Sequence, residues 1–225
     1  MSDTLAHIYE TLLTRYGQPQ WWPARTPYEV IIGAVLTQNT AWSNVEKAIA
    51  NFGEALTPER VASTSLGELA GIIRPAGSFN RKAVYLKTVT EWFARYGYDA
   101  SAVQRQPLET LRAELLLTKG IGPETADPIL LYGFGLPTFV VDAYTMRLCE
   151  RYPIDAGRGY EGAKARFEGG LPRSAEVYNN FHALIVINAK EHCRKQPVCD
   201  GCPLGGGQCG RCGLGERWRD GLGRE

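Results

Sequence analysis

The stretch TKGIGPETA, residues 118–126, stands between two runs of helical periodicity. Gly120 and Gly122 tolerate backbone angles that other residues resist, so the chain can reverse there in a tight turn. Ile121, between them, is placed to plug the turn into a core. The second helix begins at the turn, so its unpaired N–H groups and positive dipole end face out of it. Such a unit grips a phosphate through backbone amides and reads no base. Lys119 adds a cation beside it. The same residues also suit an ordinary helix–helix corner that needs glycine for its bend.

Outward from the hairpin the chain reads as helix almost throughout, and the expected fold class is all-α. The N-terminal stretch SDTLAHIYETLLTRYG carries Leu5, Ile8 and Leu12 at helical spacing and stops at Gly17. Thr26-Pro27 opens a second helix. Its VIIGAVL run is apolar on every side, the mark of a buried central helix. Helical patterns also cover roughly 41–52, 58–63, 66–72, 79–96, 108–117, 123–133, 143–152, 161–169 and 174–191. The run FVV at 139–141 is too short to build a sheet. Pro128 lies inside the second hairpin helix and should kink it.

The 225 residues are enough for one large domain or two small ones, and a hydrophobic share of 44% speaks for a globular chain. With Lys+Arg 25 and Asp+Glu 24 the net charge is +1, so a polyanion would have to meet a local basic face. No apolar run is long enough for a membrane span, and MSDTLAHIYE lacks the form of a signal peptide. The expectation is a cytoplasmic protein, in a bacterium at the nucleoid, without a membrane partner. Clustered cysteines in that compartment point to metal rather than disulfides.

Three further stretches carry chemistry. VVDAYTMRLCERY (140–152) places Asp142 directly before a helix, where it is an excellent N-cap. QWWPARTPYE (20–29) and AVLTQNTAWSNVEKA (34–48) bring Trp21, Trp22, Pro23 and Trp42, residues that suit either a core or an aromatic pocket. CRKQPVCDGCPLGGGQC (193–209) concentrates cysteines at the C-terminal side, with Cys212 just beyond. Cys149 stands apart and reads as a small buried residue.

Taken together, from about Pro27 to Cys209, these features resemble the endonuclease III superfamily of helix–hairpin–helix DNA glycosylases. In its bifunctional members a lysine directly before the Thr-Ala pair attacks the sugar; here that position is Glu124, which cannot form an imine. The resemblance therefore implies base removal without strand cleavage. It makes Asp142 the catalytic carboxylate, stabilising a sugar cation and orienting water. Glu124 is either a second catalytic carboxylate or a first-turn helix acid.

The tryptophans narrow the resemblance to the 3-methyladenine branch of endonuclease III type, where positions matching Trp21, Trp22, Pro23 and Trp42 wall the base pocket. A flipped, positively charged alkylpurine suits electron-rich indoles. Gln38 and Asn39 match the stretch that enters the gap left by the flipped base. Lys119, Gly120, Gly122, Arg194 and Lys195 would meet phosphates, as would Arg74, Arg81 and Lys82.

The resemblance also implies a [4Fe–4S] cluster on Cys193, Cys199, Cys202 and Cys209, with Cys212 as alternate fourth ligand. The first gap is five residues instead of the common six, and the third is six instead of five. Zinc on the CDGC and CGRC pairs is the rival cofactor. The implied partner is double-stranded DNA with damaged bases, bound by a monomer. The expected architecture is a helical bundle over 20–136 and a second helical domain joining 1–19 to 137–225, with DNA lying across them. Two other functions remain open: an endonuclease III-like glycosylase/AP lyase for oxidised pyrimidines, and a non-catalytic protein that binds damaged DNA.

Overall fold

The computed structural model describes residues 3–19, 21–53 and 56–205. Twelve α-helices follow one another among them, with no strand. They are α1 (Asp3–Tyr16), α2 (Pro27–Leu36), α3 (Trp42–Ala50), α4 (Pro58–Ser63), α5 (Leu66–Ile72), α6 (Phe79–Ala94), α7 (Ala100–Gln104), α8 (Leu108–Leu117), α9 (Pro123–Pro128), α10 (Ala143–Arg151), α11 (Gly159–Gly170) and α12 (Ala175–Glu191). The all-α expectation holds. None of these helices is long and apolar enough to cross a membrane. The chain divides into two compact units, Trp22–Thr138 and the pair Met1–Trp21 with Phe139–Glu225.

In the Trp22–Thr138 unit, α2 is the central rod. Nine of its ten residues are buried, as its all-round apolar run requires. Thr26 caps it by accepting from Glu29 N–H at 3.1 Å, a contact worth about 1 kcal/mol. The Glu29 carboxylate reaches back to accept from Arg25 N–H at 3.3 Å. The far end of α2 is held by Lys82, which departs from the phosphate contact expected of it. Lys82 is 3% exposed and donates to the carbonyls of Leu36 and Ala76, each at 2.8 Å. It thus places a cation on the negative end of α2. Burial, with a smaller contribution from Arg81, lowers its pKa from the ordinary lysine value.

The hairpin joins α8 to α9. Thr118 accepts from Ile121 N–H through its carbonyl at 3.0 Å, and Gly122 O takes Thr125 and Ala126 N–H, both at 2.9 Å. Gly120 has φ +86°, and a Cβ there would run into the Tyr85 ring. Ile121 is buried. Pro128 does not end the helix: the chain continues as a π-turn over Ile129–Gly133. Proline supplies no N–H to the ladder, and a wider turn absorbs the break. Asp127, fully buried, is met by Arg112 through Nε at 2.8 Å and Nη2 at 3.1 Å, and by Thr138 Oγ1 at 2.9 Å.

The other unit is built on a ring cluster. Phe139 stacks on Phe167 with centroids 4.4 Å apart, and both meet Phe181 at 6.1 and 5.7 Å. α1 packs on α12 through Tyr9 and Phe181. The cluster anchors the start of the segment that leads into Asp142.

Gly120→Ala should destabilise the protein by at least about 2 kcal/mol, since it adds a left-handed residue penalty to a steric clash. Urea denaturation of the variant beside the wild type checks this.

Candidate active site

Asp142 sits where an irregular segment turns into α10. The segment is pinned upstream. Glu168 on α11 accepts from Phe139 N–H at 2.8 Å, and Tyr160 OH lies 3.4 Å from Val141 N. At the helix mouth one oxygen of Asp142, Oδ1, accepts three hydrogen bonds: from Tyr144 N–H and Thr145 N–H at 2.9 Å and from Thr145 Oγ1–H at 3.2 Å. The other oxygen, Oδ2, faces His182 Nε2 at 3.3 Å. Burial works against the charged form of this carboxylate. The opposing effects of the His182 charge, its contact with Oδ2 and the Thr145 donors outweigh burial, so the carboxyl is held below its ordinary pKa. The cap reading and the chemical reading of Asp142 thus describe one geometry: the cap aims the group and keeps it ionised.

His182 was not among the residues singled out by the sequence. It is a lone histidine in the apolar run of α12, 5% exposed. Trp21 approaches it edge-on, with ring centroids 6.4 Å apart. Lys190 Nζ lies 5.8 Å from the Trp21 ring centroid. The Trp21 indole N–H is buried without an acceptor. Asp142, His182, Trp21 and Lys190 therefore form one chain of neighbours within this unit.

The remaining tryptophans meet in the Trp22–Thr138 unit. Trp22 stacks on Tyr132 (centroids 5.0 Å, planes 20° apart) and stands edge-on to Trp42 at 5.3 Å. Gly33 on α2 makes room for the group: a Cβ there would meet Trp22 at 3.4 Å and Trp42 at 3.7 Å. Trp22 has a left-handed backbone, φ +62°, which costs about 1–2 kcal/mol for such a residue. Its indole N–H is buried without an acceptor. Trp42 is half-buried and donates to Glu46 Oε1 at 3.1 Å; Pro23 is exposed. Tyr132, carried on the π-turn, is the member of this cluster that sequence reading missed.

Gln38 joins two elements of this unit. Its amide nitrogen donates to Gly120 O at 2.9 Å and Thr125 Oγ1 at 3.0 Å, so it ties α2 to the hairpin. Asn39 beside it is exposed, with φ +51°. Lys119, Gly122 and Glu124 are exposed around the hairpin, and Gly120 is half-buried. Glu124 occupies the first turn of α9, where an acid favours the helix dipole.

At the C-terminal side, Cys193 and Cys202 line one cleft, together with Leu148, Tyr152, Asn188 and Val198. Arg151 Nη1 lies 3.1 Å from Cys193 Sγ. No three Cys, His, Asp or Glu side chains among the described residues converge on a point that would hold a single ion. The expected fourth ligand Cys209, its alternate Cys212 and the zinc pairing that uses both lie outside the described residues. Arg194 donates to Lys190 O at 2.7 Å and Lys195 O accepts from Arg151 at 3.2 Å; both side chains belong to exposed residues of this loop. Cys149 is buried, which pushes its thiol up to about 11.

A candidate DNA repair glycosylase of Methanocaldococcus jannaschii is 45% identical to this chain over 207 residues, covering 90% of the chain and 94% of the relative. Among solved structures, the Helicobacter pylori 3-methyladenine DNA glycosylase MagIII, bound to 1,N6-ethenoadenine, superposes with a TM-score of 0.71. It is 28% identical, over 84% of this chain and 96% of that one. A trapped endonuclease III–DNA covalent intermediate shares the fold with a TM-score of 0.81 at 22% identity, over 96% and 99% of the two chains. The model of the HhH-GPD superfamily base excision DNA repair proteins matches residues 32–173. Hairpin, capped aspartate and family match coincide on one stretch of sequence, and the chain belongs to the HhH-GPD superfamily of base excision DNA repair proteins.

Proposed function

We propose that this protein is a monofunctional DNA glycosylase that removes alkylated purines of the 3-methyladenine type, with water as the nucleophile. The observation that carries the reading is Asp142, a rigid, ionised carboxylate, in a chain whose hairpin offers Glu124 where an attacking amine would stand. As the bond between C1′ and the base nitrogen breaks, its electron pair leaves with the base. N-alkylation has already placed a positive charge on that base, so it departs neutral. The sugar is left as an oxocarbenium-like cation, which the Asp142 carboxylate stabilises. Water adds to C1′ and loses a proton to solvent. No imine forms, and the strand stays intact.

The substrate class is supported by the indoles. Trp22 and Trp42 come together with Tyr132, while Trp21 stands beside His182. A cationic purine gains about 0.5–2 kcal/mol from such a face. The buried Trp22 indole N–H without an acceptor is a donor that a base could meet. The 28% identity with the H. pylori 3-methyladenine enzyme points the same way. Double-stranded DNA would be held through the hairpin amides of Gly120 and Gly122, with Lys119 beside them. Cys193, Cys199 and Cys202, with Cys209, would hold a [4Fe–4S] cluster, whose contribution is to order the loop that carries Arg194 and Lys195.

The deciding experiment uses two duplexes, one methylated and one carrying an oxidised thymine, each read with and without alkali. Release from the methylated duplex, with nicks only after alkali, is expected; direct nicking of the oxidised-thymine duplex would show a working amine and defeat the proposal. Asp142→Asn should keep DNA binding and lose base release, because asparagine caps the helix equally well without the charge.

The same variant has a stability signature. The wild-type carboxyl has a folded pKa below its unfolded value. Its contribution should be fully present above the unfolded pKa, about 4, and be lost as pH falls through the lower folded value. Thermal melts of the two proteins from neutral pH downward should therefore converge at the acid end.

The cluster assignment predicts broad visible absorbance and about four iron atoms per chain, both lost in Cys193→Ala. A colourless protein containing zinc would refute it.

A further inference from the structure

We infer that His182 is a positioning residue for the reaction proposed above, holding Oδ2 of Asp142 and so aiming that carboxylate at the sugar. The inference rests on the reading of Asp142 as the group beside C1′, and it explains a feature that the cap alone leaves unused. Three donors from the start of α10 fall on Oδ1. A capping aspartate needs no more than these. Oδ2 is turned instead to a histidine on another helix, 3.3 Å away and 5% exposed. A side chain with two ring nitrogens, buried in the apolar run of α12, is costly to place unless its polar edge has work to do.

With Nε2 turned to Oδ2 at 3.3 Å, the imidazole fixes the second oxygen of the carboxylate while the start of α10 fixes the first. A carboxylate held at both oxygens keeps its aim on a cation forming at C1′. The charged group facing His182 from α10 is Asp142. From the segment before α2 comes the uncharged edge of Trp21, beyond which lies the Lys190 ammonium. α1 contributes Tyr9, which packs on the neighbouring Phe181.

The test compares wild type, His182→Gln and His182→Phe in the full chain. The pairing is read without activity by following the Asp142 carboxyl through its NMR titration: its midpoint should rise in both variants. The role is read by single-turnover release from the methylated duplex, beside binding to the same duplex. His182→Phe should slow release about 10- to 100-fold, the range expected when a catalytic group loses its aim, with binding changed by less than about threefold. His182→Gln, which keeps an N–H for Oδ2, should recover part of the rate. An unmoved Asp142 midpoint overturns the pairing. A folded His182→Phe at the wild-type rate, or a His182→Gln no faster than His182→Phe, overturns the positioning role. If His182→Phe fails to fold, His182→Gln decides alone. A wild-type protein that releases no base from a panel of damaged duplexes removes the reaction and the role with it, while the Asp142 titration still reports the pairing separately.

Discussion

A carboxylate that must stay ionised while half-buried needs donors fixed in place before any ligand arrives. Asp142 finds them in the first turn of its own helix, where two backbone N–H groups and the Thr145 hydroxyl converge on one oxygen. The helix start has those donors to spare, because its first N–H groups have no partners inside the helix. One contact thus meets two demands: α10 is capped and the anion is stabilised. Much of the surrounding unit serves that point. The Phe139 ring cluster and Glu168 on α11 hold the segment that delivers Asp142, and α12 brings His182 to its other oxygen.

The hairpin shows the same economy. Gly120 lets the turn pass so close to Tyr85 that no side chain fits, and Gln38 ties the turn to the end of α2. The turn is therefore braced from two elements and needs little further ordering. On the aromatic side, Gly33 performs the corresponding service. By giving up its own side chain on a buried helix, it admits two indoles.

Features that depend on spacing within a few residues were legible in the sequence. The all-round apolar run gave away α2, Thr26-Pro27 its start, the paired glycines the hairpin, and the residue ahead of α10 its cap. Features that depend on which surfaces meet across the chain were not. Gln38 reads as a polar residue at a helix end, and its tie to Gly120 spans 82 positions. Lys82 reads as a surface cation in a basic run, yet it is buried against two carbonyls from different elements. His182 looks like any histidine in an apolar helix until Asp142 is seen opposite. Tyr132 was hidden for another reason: Pro128 announced a break, but a kink and a π-turn leave the following side chains pointing in different directions. The short helix α7 has too few residues to show a period.

That π-turn also has a consequence for how this helix can change. A wider turn holds one residue more than the α-helical ladder needs, so everything beyond it is advanced by one position, about 100° of rotation. Tyr132 is carried inside that turn. Losing a single residue ahead of Tyr132, between 129 and 131, would draw the tyrosine back by one position and turn it to a different face, with no substitution in the aromatic wall itself. The segment is a vernier: a length change of one residue, usually ruinous inside a helix, is here the smallest step by which the wall beside Trp22 could be redrawn.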